Sequence, residues 1–227
     1  MENKQNYQDF LLKTIKNLEQ TSKKPKLLLH ACCAPCSTAC LEVLSHHFDI
    51  TIFFYNPNIH PKQEFDKRFD ELKQFVNQKN SESLSNQESD IIKTLCIDYD
   101  PNEFFDCIKG LENEKEGGER CKKCFWLRLS KSAEIAKQNN FDYVTTTLTL
   151  SPYKNSQLLN AIGKELEQIY GVKYLFSDFK KNDGYKKSIE LSKKYNLYRQ
   201  DYCGCIFSKL EREQQKKEKL NSELSQN

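Results

Sequence analysis

Short apolar runs alternate with longer amphipathic stretches over most of the chain. The apolar runs predict five strands, at residues 26–30, 50–55, 91–99, 143–148 and 173–177. The amphipathic stretches predict helices at residues 37–46, 62–78, 121–138, 156–170 and 185–195, with Ser37 as the N-cap of the first. Strands that alternate with helices are joined by parallel crossovers. The pattern therefore predicts an α/β fold.

The segments outside this alternation are polar. Residues 1–25 predict a polar N-terminal helix or extension, and residues 77–90 and 111–119 predict exposed loops. Residues 208–227 are charged and have few apolar anchors, which predicts a frayed, disordered tail. One main domain is therefore expected at residues 26–207.

The residues best suited to chemistry follow the predicted strands. Cys32 and Cys33 follow the first strand, His60 follows the second, and the turn at residues 151–154 follows the fourth. In a Rossmann-like (HUP-like), mostly parallel sheet with helices on both faces, ligands bind beyond the carboxyl ends of the strands. We therefore expect these segments to meet at one edge of the sheet.

Composition restricts the compartment in which the protein works and the use of its cysteines. The chain has 227 residues, ten cysteines and a formal net charge of +3. It is long enough to bury a core without disulfide staples. No apolar leader follows the N-terminus, and the apolar runs are too short to cross a bilayer. We therefore expect a cytoplasmic protein with no membrane partner, in which clustered cysteines indicate metal binding or catalysis.

Two Cys-x-x-Cys pairs supply four thiolates that can share one metal site. The pairs are Cys33 with Cys36 and Cys121 with Cys124. The adjacent residues Cys32 and Cys33 are awkward for a zinc knuckle. They fit better where two neighbouring irons of a cluster each take one thiolate.

Cys203-Gly204-Cys205 is a different kind of pair. A spacing of one residue is too tight for most single-metal chelation and favours a strained, reversible disulfide. Gly204 supplies the backbone freedom that such a small ring needs. Two alternatives stay open: a turn with two incidental cysteines, or two further metal ligands.

The remaining cysteines and two histidines have less specific surroundings. Cys40 lies one helical turn beyond the first pair, and either joins the site or faces the core. Cys96 and Cys107 are predicted core residues. His30 and His60 are candidate ligands or proton donors, with a structural role as the alternative.

Basic and aromatic residues flank the cysteine pairs. They are candidates for contact with the phosphates and bases of a nucleic acid, although a solvated, lysine-rich surface is an equally good interpretation. The candidates are Arg120, Lys122, Lys123, Arg128, Tyr153, Lys154 and Arg199.

Five ordered blocks carry a resemblance to a known family. They are Leu-Leu-Leu-His-Ala-Cys-Cys-Ala-Pro-Cys-Ser at 27–37, Tyr-Asn-Pro-Asn-Ile-His-Pro at 55–61 followed by Glu64, Glu-Arg-Cys at 119–121 with Cys124 and Arg128, Thr-Thr-Leu at 146–148 with Ser-Pro-Tyr-Lys at 151–154, and Tyr-Arg-Gln at 198–200 with Cys-Gly-Cys at 203–205. In this order the blocks closely resemble the QueH family of epoxyqueuosine reductases, roughly over residues 26–207.

The resemblance implies a specific reaction. The substrate would be tRNA that carries epoxyqueuosine at the wobble position of the anticodon. The enzyme would remove the epoxide oxygen in a two-electron reduction, without cobalamin, in the last step of queuosine biosynthesis. An electron-donor protein or another cellular reductant would restore the enzyme after each turnover.

The resemblance also implies roles for the cysteines. By motif, the ligands of a [4Fe-4S] cluster would be Cys32, Cys33, Cys121 and Cys124, and the redox-active disulfide pair would be Cys203 and Cys205. The first ligand pair is thereby Cys32 with Cys33, whereas spacing alone selects Cys33 with Cys36. Cys36 becomes a candidate ligand for an adjacent mononuclear metal ion, which would be iron.

Other functions remain in competition with this one. A zinc protein that binds RNA through its thiolate site would use the same cysteine pairs. A tRNA thiolation-type enzyme would need a glycine-rich phosphate loop after the first strand, and residues 31–36 contain no glycine. A thiol–disulfide oxidoreductase built on Cys203 and Cys205 alone would leave the other pairs unexplained.

Overall fold

The centre of the molecule is a five-stranded sheet in which the strand pairings are parallel. In a computed structural model, described for residues 5–21, 23–86 and 91–224, the strands are β1 (Lys26–His30), β2 (Asp49–Phe54), β3 (Lys93–Cys96), β4 (Tyr143–Thr146) and β5 (Lys173–Tyr174). Their order is β3-β2-β1-β4-β5, so the chain reverses its direction of winding beside β1. A ligand crevice is expected at this switch point.

Helices cover both faces of the sheet, which confirms the predicted α/β, Rossmann-like arrangement. One face carries α1 (Tyr7–Leu18), α2 (Ala34–Leu44), α3 (Lys62–Ser85) and α7 (Gly184–Lys194), and the other carries α5 (Glu119–Gln138) and α6 (Ser156–Tyr170). The short α4 (Asn102–Cys107) and the C-terminal α8 (Ile206–Leu224) pack against the start of α5. None of the helices in the described part of the chain combines the length and apolarity needed to cross a membrane.

The central strand explains why the two halves of the core stay separate. Leu27 and Leu29 of β1 point into the cluster beneath α1, α2 and α3, whereas Leu28 points into the cluster beneath α5 and α6. All three leucines are fully buried. A strand buried on both faces needs a continuous apolar run rather than an alternating one, and β1 has such a run.

Helix α3 extends beyond its predicted end. The segment 77–90, which we expected to be an exposed loop, is helical as far as Ser85, and residues 87–90 lie outside the described part of the chain. The Asn80 side chain donates to the carbonyl of Ile92 and accepts from its amide, both at 2.9 Å. Lys79 pairs with Glu42 at 3.3 Å. These long-range contacts hold a polar sequence in a helix, and composition alone cannot reveal them.

The C-terminal segment also differs from the expected frayed tail, because residues 206–224 form α8. The side chain of Glu211, in the second turn, pairs with Arg120 at 3.0 Å, and Lys216 pairs with Asp201 at 2.5 Å. The rest of the helix is rich in lysine, glutamate and glutamine, which are strong helix formers. Local propensity and two ion pairs thus order a segment that buries little apolar surface.

His30 ends β1 as a buried, neutral residue. Its Nε2–H donates to the carbonyl of Tyr55 (3.1 Å), so its Nδ1 must accept from the hydroxyl of Thr146 (2.8 Å). Burial and the charge of Arg128 lower the pKa of His30 to about 3. Both ring nitrogens are engaged, so the histidine ties β1 to its two neighbouring strands and has a structural role.

This burial predicts a pH dependence of stability. Because the folded-state pKa of His30 lies below the unfolded value, its contribution is complete above about pH 6.5 and is lost as the pH falls toward 3. The loss amounts to about 1.4 kcal/mol per pH unit at most. His30→Gln should therefore show a shallower fall in unfolding free energy between pH 6.5 and 5, measured by urea titration. The exposed His46→Gln is the matched control, and identical slopes in the two variants would contradict the assignment.

Candidate active site

The loops that carry the cysteines converge at the carboxyl edge of the sheet. A cavity of about 530 Å³ opens there, and Cys32, Cys36, Lys154 and Cys203 all line it. A smaller cavity beside it is lined by Cys121, Cys124, Cys203 and Cys205. Cys203 therefore lies on the wall of both cavities and connects the cysteines of β1 and α2 with those of α5.

The first cysteine group is compact. The Sγ atoms of Cys32, Cys33 and Cys36 all lie within 4.8 Å of one another, which is close enough for the three to share one metal ion. The Sγ–Sγ distance from Cys32 to Cys33 is 3.8 Å. The structure thus brings together both of the pairs that spacing and resemblance selected. Cys121 and Cys124 are not part of this tight group.

Cys33 also begins helix α2. Its Sγ accepts a hydrogen bond from the backbone amide of Cys36 (3.4 Å), as an N-cap side chain does. Our prediction of Ser37 as the N-cap is wrong, because Ser37 lies inside the helix and its hydroxyl donates to the carbonyl of Cys33 (3.0 Å). Pro35 in the first turn allows the helix to start earlier than the apolar pattern indicates.

Hydrogen bonding makes the three thiols unequal. A hydrogen bond with Cys33, and a weaker effect of one with Cys36, hold the pKa of Cys32 well below its usual range. Burial raises the pKa of Cys33 to about 12, and hydrogen bonding to Cys32 raises that of Cys36. As the pH rises, Cys32 is therefore the first thiol of this group to lose its proton. It also lines the large cavity.

The second cysteine group occupies the first turns of α5. Cys121 packs against the same apolar cluster that contains Cys32 and Cys33, and its Sγ accepts from the amide of Gly117 (3.2 Å). Burial raises the pKa of Cys121 to about 11 and also raises that of Cys124. The N-terminus of a helix favours negative charge, so this position suits thiolates that ligate a cation.

The third group, Cys203-Gly204-Cys205, is held by its backbone. The carbonyl of Cys203 accepts from Arg68 (3.2 Å), and the carbonyl of Gly204 accepts from the amide of His60 (2.9 Å). The Sγ of Cys205 accepts from the amide of Ser208 (3.4 Å) at the start of α8. Both thiols are free in this structure. The backbone contacts therefore fix the pair where the two cavities adjoin, with Cys203 on the wall of both.

Two buried arginines adjoin these cysteine loops. The amino group of Arg128 donates to Asn56 Oδ1 (2.5 Å), whereas its Nε and second amino group have no oxygen or nitrogen partner in the described part of the chain and face the sulfur of Cys124. Arg68 pairs with Glu64 (2.7 Å), and its second amino group is likewise without a partner there. Burying an unpaired cation costs several kcal/mol. The site therefore has positive charge to balance a set of thiolates.

Cysteine sulfurs are the groups that act most strongly on these two arginines. Burial by itself lowers the pKa of Arg128, but the charges of Cys124, Cys32 and Cys203 raise it overall. Burial likewise lowers the pKa of Arg68, and Cys33 leads the charges that raise it overall. Each guanidinium therefore lies among cysteine sulfurs, and it keeps its charge as arginine side chains do in proteins.

Arg120 organises the second cavity from the inside. It is 2 % exposed, stacks on Phe207 at 4.5 Å and pairs with Glu211 of α8 at 3.0 Å. It also donates to the carbonyls of Glu112 and Glu114 in the loop before α5. Arg120 thus joins this loop and α8 to the helix that carries Cys121.

The prediction that Arg120 and Arg128 belong to a nucleic-acid-binding surface is wrong. Arg120 and Arg128 face inward, so neither is available to bind a phosphate at the surface, and local sequence cannot distinguish an inward arginine from an outward one. Lys154 is half-buried in the cavity wall. The candidates that remain exposed are Lys122, Lys123, Tyr153 and Arg199.

Sequence reasoning overlooked Arg68 and Asn56. Arg68 lies between Phe65 and Leu72 on the inward face of α3, where a charged residue interrupts the apolar stripe. That interruption was the available signal. Asn56 donates to the carbonyl of Ala31 (2.9 Å) and accepts from Arg128, so it holds the loop that presents the first cysteines.

The less specific candidates lie away from the reactive centre. The Cys40 thiol is buried and donates to the carbonyl of Cys36 (3.3 Å), so it faces the core. Cys96 and Cys107 are half-buried and line neither cavity. The ring of His60 packs edge-on against Phe105, and its backbone rather than its side chain contacts the Cys203–Cys205 loop.

Comparison with known proteins connects this site with one family. The profile of the family described as epoxyqueuosine reductase QueH matches residues 27–211. The chain is 45% identical to epoxyqueuosine reductase QueH of Streptococcus pyogenes serotype M1, over 89% of this chain and 78% of that protein. It is 47% identical to the protein of the same name from Staphylococcus epidermidis, over 89% and 84%. For the Thermotoga maritima protein the identity is 35%, over 82% and 91%.

The conformation of Gly204 yields a prediction. Its φ is +128°, and an added Cβ would lie 3.0 Å from Ile59 Cγ1 and 3.1 Å from an amino nitrogen of Arg68. Gly204→Ala should therefore lower the free energy of unfolding by about 1–3 kcal/mol through backbone strain and this crowding. Urea unfolding measures the loss. Gly117→Ala is the control, because φ is also positive there (+91°) but no atom lies within 4 Å. An equal loss in both variants would show that the close approach is unimportant.

Proposed function

The chain belongs to the epoxyqueuosine reductase QueH family, and from this we propose that it converts epoxyqueuosine at the wobble position of tRNA into queuosine, as an oxidoreductase of the cytoplasm. The observation that carries the proposal is the family match over residues 27–211, which spans every cysteine of the site. The three cysteine groups at one edge of the sheet supply the redox chemistry that such a reduction requires.

The proposed reaction balances with a pair of thiols. Both carbon–oxygen bonds of the epoxide break, a carbon–carbon double bond forms, and the oxygen leaves as water. This conversion consumes two electrons and two protons. Oxidation of two thiols to one disulfide releases the same number of each. One Cys203–Cys205 pair therefore matches one turnover, and a cellular reductant then restores both thiols.

The positions of Cys203 and Cys205 support this role. Cys203 lines the large cavity, where a substrate has access, and also adjoins the smaller cavity beside Cys121 and Cys124. Burial raises the pKa of the Cys205 thiol, which favours its protonated form before oxidation. The one-residue spacing makes their disulfide strained, and strained disulfides are readily reduced again.

The donor set fits an iron–sulfur cluster. We propose that a [4Fe-4S] cluster is held by Cys32, Cys33, Cys121 and Cys124, and that Cys36 ligates an adjacent mononuclear iron. The orphaned donors of Arg68 and Arg128 support a resident group of negative charge at this place. When bound, such a cluster supplies one-electron transfer and a Lewis-acidic iron, so no cobalamin is required.

The exposed candidates would bind the tRNA. Lys122, Lys123 and Arg199 offer positive charge to backbone phosphates, and Tyr153, which is 80 % exposed, offers a ring on which a splayed base stacks. The modified base would then enter the cavity of about 530 Å³.

Separate cysteine substitutions test the division of roles. Cys121→Ser should lose iron, sulfide and turnover together, because a cluster ligand is missing. Cys205→Ser should retain iron and sulfide but lose turnover, because the two electrons of the Cys203–Cys205 pair can no longer be released by forming a disulfide. Cys96→Ser, outside both cavities, is the control and should retain all three. Anaerobic iron and sulfide analysis with a nucleoside assay measures the outcome. A Cys121→Ser protein with full iron content and activity would refute the ligand assignment.

The cellular function is tested by nucleoside analysis of tRNA. Cells of the source organism that lack this protein should accumulate epoxyqueuosine and lose queuosine from tRNA. Re-expression of the wild-type chain should restore queuosine, whereas re-expression of Cys205→Ser should not. Unchanged queuosine in the deletion strain, with no second reductase present, would contradict the proposed function.

A further inference from the structure

Lys154 occupies a firmly held position at the large cavity. It ends the turn that precedes α6, and its amide donates to the carbonyl of Ser151 (3.2 Å). Its carbonyl accepts from the ammonium group of Lys180 (3.0 Å), which also pairs with Asp178 (3.4 Å). Asp178 in turn accepts from Ser156 at the start of α6 (2.9 Å). The backbone of Lys154 is therefore fixed from both sides.

The side chain of Lys154 has an unusual electrostatic environment. It lines the cavity together with Cys32, Cys36 and Cys203. No carboxylate lies within 4.0 Å of its ammonium group in the described part of the chain, which distinguishes it from Lys180. Burial lowers the pKa of Lys154, but the charges of Cys203, Cys32 and Cys36 raise it overall, so the ammonium group stays charged.

The other cations that line this cavity are two arginines, and each has a hydrogen-bond partner of its own. Arg199 donates to the carbonyl of Ser188 (3.2 Å) and the hydroxyl of Ser192 (3.0 Å). Arg212 is exposed and donates to Gln215 on its own helix (3.1 Å). Among the described lining residues, Lys154 is the one lysine, and is therefore the cation that can release a proton, since arginine does not.

The reduction of an epoxide creates a need for such a donor. Negative charge develops on the oxygen as its bonds to carbon break, and a preorganised donor lowers the energy of that charge. The oxygen must also gain protons before it leaves as water. Both requirements arise beside the thiols that supply the electrons, and Lys154 lines the same cavity as Cys203.

We propose that Lys154 is a catalytic residue, whose ammonium group donates a hydrogen bond to the epoxide oxygen and transfers a proton to it as the oxygen leaves. The proposal rests on the proposed function. Two electrons pass from the Cys203–Cys205 dithiol, which becomes a disulfide and releases two protons. One of these protons restores the ammonium group, and the other completes the departing water, so the step balances.

This role differs from phosphate binding, which is what the position in the Ser-Pro-Tyr-Lys turn suggested. A phosphate contact contributes to tRNA affinity and to its salt dependence, and has little effect on the rate once the complex has formed. A donor to the reacting oxygen increases the rate and contributes little to tRNA affinity, because it acts mainly in the transition state. Binding and single-turnover measurements therefore separate the two roles.

The test compares Lys154→Met, Lys154→Arg and the wild type on tRNA that contains epoxyqueuosine. Lys154→Met should lower the single-turnover rate at saturating enzyme by about 100-fold, the effect typical of losing one such donor. The dissociation constant for tRNA should change less than about threefold, and iron and sulfide content should not change. Lys154→Arg should have an intermediate rate, because arginine keeps the charge and donors but does not release a proton.

Lys164→Met is the matched control, since Lys164 is an exposed lysine of α6 that does not line the cavity. The proposal is overturned if Lys154→Met reacts within threefold of the wild-type rate, or if only the tRNA affinity and its salt slope fall. Should Lys154→Met fail to fold, a wild-type rate in Lys154→Arg would overturn the proton-transfer role. A wild-type enzyme without any turnover would instead refute the proposed function itself.

Discussion

The burial of two guanidinium groups beside the cysteine loops is the interaction on which the geometry of this site depends. Arg128 has no carboxylate partner in the described part of the chain, and Arg68 has one, Glu64. Positive charge in an apolar interior is stable only when an anion compensates it. Here the groups that face the two guanidiniums are cysteine sulfurs, which balance the charge when they are thiolates. The same two side chains hold the loops in place, because Arg128 bonds to Asn56 and Arg68 bonds to the carbonyl of Cys203.

Helix starts provide a second source of positive potential. Cys33 accepts an amide hydrogen bond at the start of α2, Cys205 does so at the start of α8, and Cys121 accepts one beside the first turn of α5. Cys33 and Cys205 thereby take the place of a capping oxygen, because each accepts from the amide three residues further along the chain. Because a parallel sheet directs its crossover helices to start at one edge, the starts of α2 and α5 meet there, and α8 packs against the start of α5. The helix starts that the fold places at this edge are thus the positions that hold the cysteines of the site.

Sequence patterns located most of the regular structure, and the failures have a common cause. The predicted strand at 26–30 and helix at 156–170 agree with the observed bounds, because an apolar run and a clear amphipathic stripe determine them. The helical extension to Ser85 and the helix α8 were missed. In both, contacts such as Asn80 with Ile92 and Arg120 with Glu211 join residues far apart in the chain. Local composition carries no information about such partners.

The sequence by itself determined the parallel α/β architecture, the edge at which the cysteines lie and, by resemblance, the family. These features depend on the order and spacing of residues, which a linear chain displays directly. Only the tertiary structure decided where the charged side chains point. Arg120 and Arg128 proved to be internal, and Lys154 lines the cavity beside Cys32 and Cys203. The direction of a charged side chain depends on which distant group balances its charge, and only the folded chain brings those groups together.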